Sequence, residues 1–205
     1  MKFLITGGAG FIGSHLAETL LHLSEDVIVF DDFSSGRHDN LKDLPVRIIE
    51  GDIRDADAVR RAMKGVDTVF HMAALGSVAR SVVDPHSTQS VNINGTLNVL
   101  DAARQTQVRR LVFSSSSSVY GESEVLPKHE NMLPSPLSVY AVSKITGEYY
   151  CQSFRKTHGL QTVCLRYFNV FGPRQDPSSE YAAVIPKFIT AAMAGEKPRI
   201  YGDGS

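Results

Sequence analysis

Thr6-Gly7-Gly8-Ala9-Gly10-Phe11-Ile12-Gly13 is the stretch that decides the fold. It follows the short apolar run Phe3-Leu4-Ile5 and opens a run with apolar residues at helical spacing, so the glycines stand where a strand turns into a helix. Glycine at 7, 10 and 13 lets backbone N–H groups and the positive end of the helix dipole face a pyrophosphate without Cβ interference. Gly7, Gly10, Phe11, Ile12 and Gly13 are therefore candidate phosphate contacts. Such a triplet alone equally closes a tight turn. It gains weight from Asp31, which ends the next strand where a carboxylate can accept hydrogen bonds from an adenosine ribose. The loop and the acid together point to NAD rather than NADP, because Asp31 and Asp32 would repel a 2′-phosphate; Arg37 pulls the other way. Asp32 reads equally as a loop-capping carboxylate.

Outward from this point the same alternation continues. Residues 2–6, 27–31, 46–50, 68–72, 110–115 and 162–167 read as strands, with helices expected over 11–23, 57–63, 85–105 and 140–158. Near-continuous apolar strands between helices predict a doubly wound, Rossmann-type α/β fold with a parallel sheet, its ligand sites along one edge. The pattern changes after Gly172-Pro173, so residues 1–172 form the expected nucleotide-binding domain and 173–205 the beginning of a smaller substrate domain, with a helix over 182–194.

Composition sets the outer limits. A chain of 205 residues with 42% hydrophobic content can bury one sizeable core. Its formal charge of -1 offers no broad attraction to nucleic acid or anionic lipid, so phosphate binding has to be local. Two cysteines, Cys151 and Cys164, suit neither a disulfide framework nor a zinc knuckle; a reduced, cytoplasmic setting and no metal are expected. No apolar run reaches membrane-spanning length.

Further candidates fall at strand ends. Asp52 after the third strand is placed to bond an adenine amino group while Ile53 packs on the ring, although Asp52 also reads as a helix N-cap. Ala73 and Ala74 after the fourth would let a cofactor lie against backbone; close helix–strand packing explains them as well. Tyr140 and Lys144, at i and i+4, share one helix face. A tyrosine with its ordinary pKa is a poor base at neutral pH unless a cation stabilises the phenolate, which Lys144 and a positive nicotinamide could both do. From the serine run ending the fifth strand, Ser116 is assigned to hold the reacting oxygen of the substrate, its neighbours reading as loop hydroxyls.

The motifs at 6–13, 114–121, Tyr140-x-x-x-Lys144 and Leu165-Arg166-Tyr167-Phe168-Asn169-Val170-Phe171-Gly172-Pro173 together resemble the extended short-chain dehydrogenase/reductases, and within them the UDP-glucose/UDP-N-acetylglucosamine 4-epimerases. The resemblance implies redox-neutral isomerisation of a UDP-hexose through a 4-keto intermediate, with firmly held NAD. It places Asn92 and Tyr167 by the cofactor, Phe168 near nicotinamide or sugar, and Asn169 at the diphosphate. From its residues alone Asn92 reads as a helix-interior packing or hydrogen-bonding residue. Residues 75–81 and 181–188 look like those of epimerases accepting N-acetylated sugars, which implies Ser77 beside the sugar and Ala183, Val184 and Lys187 at the uridine diphosphate; packing, or solvation for Lys187, is the plain alternative. The helices over 85–105 and 140–158 resemble those that pair in family homodimers.

Three departures matter. Ser117 and Ser118 stand where related dehydratases and decarboxylases carry acids, which disfavours those reactions. Val139 replaces the proline usual before the tyrosine, so a looser helix start is expected. The family normally continues past Tyr201-Gly202-Asp203-Gly204, so a chain of this length reads as a fragment of an enzyme or as a non-catalytic NAD-binding module.

Overall fold

The computed structural model of the chain describes residues 1–176 and 184–198. Its centre is a six-stranded parallel sheet in the order β3-β2-β1-β4-β5-β6, built from β1 (Lys2–Thr6), β2 (Asp26–Asp31), β3 (Arg47–Glu50), β4 (Thr68–His71), β5 (Arg110–Ser116) and β6 (Gln161–Tyr167). This is the expected doubly wound sheet. Strand order reverses at β1, whose last residue Thr6 stands between Phe30 of β2 and His71 of β4. A crevice at such a switch point is where open α/β sheets bind ligands.

Period-two alternation builds both faces of the core. Leu4, Ile28, Phe30, Val69, Leu111 and Phe113 pack one face against α2 (Ala56–Ala62), α5 (Thr96–Gln105) and α6 (Val139–His158), through residues such as Val59, Leu100 and Cys151. Phe3, Ile5 and Val29 pack the other against Ala17 and Leu20 of α1 (Phe11–His22). Each fully buried Leu, Ile or Phe contributes roughly 1.5–3 kcal/mol of transfer free energy.

Most elements fall within a residue or two of their expected bounds. The helix expected over 85–105 runs through without a break, but not as α-helix throughout. It is α4 (Pro85–Gln89), a π turn (Ser90–Gly95) and α5, and a Cβ on Gly95 would stand 2.5 Å from Ile53 Cδ1. Residues 75–81 contain the start of α3 (Val78–Val83), with Ser77 Oγ accepting the Arg80 N–H at 2.9 Å as N-cap. Asp52 is not the N-cap of α2; Asp55 is, taking the Ala58 N–H at 2.9 Å.

The helix start at Val139 is held, not loose. Ser138 Oγ accepts the Ala141 N–H at 3.1 Å, and Ser81 Oγ of α3 accepts the Tyr140 N–H at 3.1 Å. These side chains do what a proline's fixed φ would otherwise do. Gly159, in the left-handed region at φ 72°, ends α6.

The chain divides into two compact units, Met1–Phe168 and Asn169–Ser205. In the second, the helix expected over 182–194 is α7 (Val184–Met193), with 182 and 183 outside the described residues. No helix among the described residues is long and apolar enough to cross a membrane.

Candidate functional site

The glycine loop is shaped partly by packing and partly by something else. Gly7 has φ +70°, and a Cβ there would stand 2.6 Å from Ala73 N; a Cβ on Gly13 would stand 2.3 Å from Gly7 O. Those two glycines are required by the protein's own close approach. Gly10 differs: its φ of -75° suits any residue, and a Cβ would meet only Gly7 O, at 3.3 Å. Gly10 is the N-cap of α1 and no side chain caps that helix, whereas α2, α3, α4 and α6 are each capped by an Asp or Ser oxygen. The N–H groups of Phe11 and Ile12, at the first positions of the helix, have no carbonyl within it to bond. An open cradle with unspent donors at a helix N-terminus fits a pyrophosphate.

Ala9 is clamped from the loop after β2. Its N–H donates to Asp31 Oδ2 at 2.8 Å, and its carbonyl accepts from Arg37 N at 3.0 Å and Asn40 Nδ2 at 2.8 Å. Asp31 is 6% exposed and takes the Phe33 N–H on its other oxygen at 2.9 Å. Burial raises its pKa against these two hydrogen bonds. Asp32 is exposed and caps its own loop, Oδ1 accepting from Ser34 N at 3.0 Å and Ser34 Oγ at 2.7 Å. Asp52 is engaged by Arg54, whose Nε lies 2.8 Å from Oδ2, and this holds the carboxyl below its ordinary range. Ile53 is 5% exposed beneath Gly95.

Ser116, Tyr140 and Lys144 come together from β5 and α6. Ser116 Oγ accepts from Ser118 N at 3.1 Å and Ser118 Oγ at 2.9 Å, which leaves its own proton available to the neighbouring Tyr140 phenol, whose pKa the serine hydroxyl pulls down. Lys144 is buried; its Nζ donates to Ser114 O at 2.8 Å and lies 5.7 Å from the centre of the Tyr140 ring. Burial pushes the ammonium down to about 8. Burial also pushes the Tyr140 phenol up, against the pull of Ser116. The Lys144 ammonium itself is directed at Ser114 O. A phenolate here calls for a further positive charge, which an oxidised nicotinamide carries.

Residues with no sequence motif of their own tie this centre to the glycine loop. Thr96 Oγ1 donates to Asn92 O at 2.6 Å, so it accepts from His71 Nε2 at 2.9 Å; His71 Nδ1 then accepts from Thr6 Oγ1 at 2.7 Å, and Thr6 takes the Ala73 N–H at 3.3 Å. His71 is thereby fixed as the Nε2–H tautomer, and burial lowers it to about 3. The Asn92 side chain, 2% exposed, bonds the backbone of Leu75 and, through Nδ2, Ser143 Oγ at 3.1 Å; Ser143 donates to Tyr140 O at 2.7 Å.

The remaining candidates are dispersed. Ser77 is buried as the cap of α3. Ala74 is half-buried. Tyr167 is half-buried, in register with Ser116, and Phe168 is exposed with its ring stacked on Tyr120 at 6.2 Å. Asn169 opens the second unit, Val184 begins α7, Lys187 is exposed on it, and Ala183 lies outside the described residues. No group of three or more His, Cys, Asp or Glu side chains that could hold a metal occurs among the described residues.

Residues 3–205 match the NAD dependent epimerase/dehydratase family. The chain is 41% identical to the UDP-glucose 4-epimerase of Mycolicibacterium smegmatis over 100% of its own length and 67% of that protein's. It is similar to the solved UDP-N-acetylglucosamine 4-epimerase of Methanobrevibacter ruminantium in complex with UDP-N-acetylmuramic acid, with 46% identity, TM-score 0.94 and coverage of 99% of this chain and 66% of that one. The UDP-glucose 4-epimerase of Thermus thermophilus in complex with NAD matches with 42% identity and TM-score 0.89, over 96% of this chain and 64% of that one. The chain thus spans about two thirds of the length of these relatives.

Proposed function

This chain belongs to the NAD dependent epimerase/dehydratase family, and from that premise we propose that it carries the cofactor-binding and proton-transferring part of a UDP-hexose 4-epimerase. The observation that carries the reading is the meeting of Ser116, Tyr140 and buried Lys144 at the end of β5, on the edge of the sheet that also holds the open glycine cradle.

In this reading Gly7, Gly10, Phe11, Ile12 and Gly13 hold the pyrophosphate of NAD, Asp31 and Asp32 its ribose, and Asp52 and Ile53 its adenine. Ala73, Ala74, Asn92, Tyr140, Lys144 and Tyr167 serve the nicotinamide half. Bound NAD would supply the hydride acceptor and donor for C4 of the sugar. Tyr140, as phenolate, takes the proton of the 4-hydroxyl and later returns it. The Ser116 hydroxyl donates to the same oxygen. Lys144 has two N–H donors beyond the one on Ser114 O, enough to engage a ribose and fix its distance from the phenol. The sugar passes through a 4-keto form.

Ser77, Ser116, Phe168, Asn169, Ala183, Val184 and Lys187 are assigned to the UDP-sugar, with 173–205 as the beginning of its domain. The family helices over 85–105 and 140–158 support a homodimer, and the reduced cysteines Cys151 and Cys164 a cytoplasmic setting. Epimerisation is favoured over elimination or decarboxylation because the carboxylate next to the serine run, Glu148, is already held by Ser115 and Arg166. Incubating the purified protein with UDP-N-acetylglucosamine, UDP-glucose and NAD, then separating products, tests the proposal. A C4 epimer is expected; none from any UDP-hexose would leave an NAD-binding module.

A further inference from the structure

Tyr140, Lys144 and Glu148 stand at i, i+4 and i+8 of α6, hence on one face, and only the first two have a part in the chemistry above. Glu148 is 4% exposed. Its carboxylate accepts from Arg166 Nε at 2.9 Å and Arg166 Nη2 at 2.8 Å, a two-pronged pair, and from the hydroxyl of Ser115. Ser115 and Arg166 are partners across the β5–β6 ladder, and the next rung is Ser116 with Tyr167. One carboxylate therefore joins the catalytic helix to both strands at the rung just before the reactive serine. The guanidinium also lies 4.7 Å from the centre of the Tyr120 ring, in the turn that follows Ser116.

Stability alone is a poor account of such a pair. Two ions removed from water lose hydration worth several kcal/mol each, and apolar residues of similar volume often serve as well. What an apolar pair cannot do is fix position to a few tenths of an ångström, as a fork of two parallel hydrogen bonds does. Ser116 has to reach one phenol oxygen on the helix, and the tie to that helix lies one residue before it.

We propose that Glu148 and Arg166 are positioning residues, which set β5 and β6 against α6 so that the Ser116 hydroxyl meets the Tyr140 phenol. The proposal rests on the epimerase reading for its kinetic consequence and on geometry alone for its structural one. Each single variant, Glu148→Gln and Arg166→Met, leaves a buried charge unpaired; the double variant is neutral again but has lost the fork.

The test is therefore the double variant. Expected are a crystal structure with Ser116 Oγ displaced relative to the Tyr140 phenol of the parent, a kcat lower by about tenfold or more, and a KM for the UDP-sugar within about threefold of the parent. A double variant with parental kcat and Ser116 in its parental place beside the Tyr140 phenol overturns the proposal, even if its melting temperature has fallen. Should it fail to fold, Arg166→Lys keeps the charge and breaks the fork; the same loss of kcat is expected, and parental kcat overturns the proposal. A parent protein that forms no epimer overturns the epimerase reading instead, and the crystallographic comparison still decides the positioning role.

Discussion

Asp31 Oδ2 accepts the Ala9 N–H at 2.8 Å, so the acid that ends β2 is a strut of the glycine loop as well as a candidate ribose ligand. Its two oxygens hold Ala9 and Phe33, and each has acceptor capacity left over. Asp31→Ala is expected to weaken NAD binding by about tenfold or more and to lower stability by roughly 1–3 kcal/mol, because two buried N–H groups lose their acceptor. Asp32→Ala removes only an exposed loop cap, and a smaller loss is expected. Calorimetric titration with NAD and urea denaturation of both variants measure the contrast.

The glycines separate packing from binding. Gly13→Ala drives a Cβ to 2.3 Å from Gly7 O and 2.7 Å from Gly8 Cα, and the backbone there has nowhere to go. A loss on the order of 3 kcal/mol is expected, or no folded protein. Gly10→Ala is expected to fold with little change in melting temperature and to bind NAD weakly. Tight NAD binding by Gly10→Ala would show that the cradle is not where the pyrophosphate lies.

His71 ties stability to pH with a definite sign. It stays neutral in the folded protein down to about 3, whereas in the unfolded chain it takes up a proton near its ordinary 6.5. Below 6.5 the unfolded state binds the extra proton, so this group lowers stability as pH falls from 6.5 towards 3, with a limiting slope of about 1.4 kcal/mol per pH unit. His71→Phe is expected to be less stable at pH 7, having left Thr6 and Thr96 without their partner, but to show a shallower acid slope. Urea unfolding from pH 7.5 to 5 reads both effects.

Lys144 has the opposite trade. Its pKa falls from 10.5 to about 8 on folding, so below 8 both states are protonated and the buried charge is a standing cost; stability rises with pH between 8 and 10.5, where only the unfolded chain keeps the proton. Lys144→Met is expected to be more stable than the parent at pH 7, by about 1–2 kcal/mol after loss of the bond to Ser114 O, while turnover disappears. Thermal melts at pH 7 beside product assays check the pairing of gain and loss.

The legible parts of this molecule are those governed by local spacing. Leu4, Ile28 and Phe30 announce buried strands by hydrophobicity, Gly7 and Gly13 announce a close turn, and Tyr140 with Lys144 announces one helix face. What escaped the sequence depends on contacts between distant segments. Asn92 reads as a helix-interior residue, but the π turn around it and its partners Leu75 and Ser143 have no signal at 85–105. Glu148 reads as one more polar residue of an amphipathic helix until β6 brings Arg166 to it. His71 looks like the end of a strand, and only the hydroxyls of Thr6 and Thr96, 65 and 25 residues away, give it a tautomer. The pattern 140, 144, 148 was the one available hint, a third turn of the catalytic face.

The most direct measurement of the central claim is the turnover and NAD affinity of Tyr140→Phe, which removes the phenol oxygen and leaves Lys144 on Ser114 O and the glycine cradle as they are. Loss of epimer formation by about a thousandfold or more, with NAD binding within about threefold of the parent, is the expected result. Near-parental turnover would contradict the account, because the proton-transferring group would then lie elsewhere.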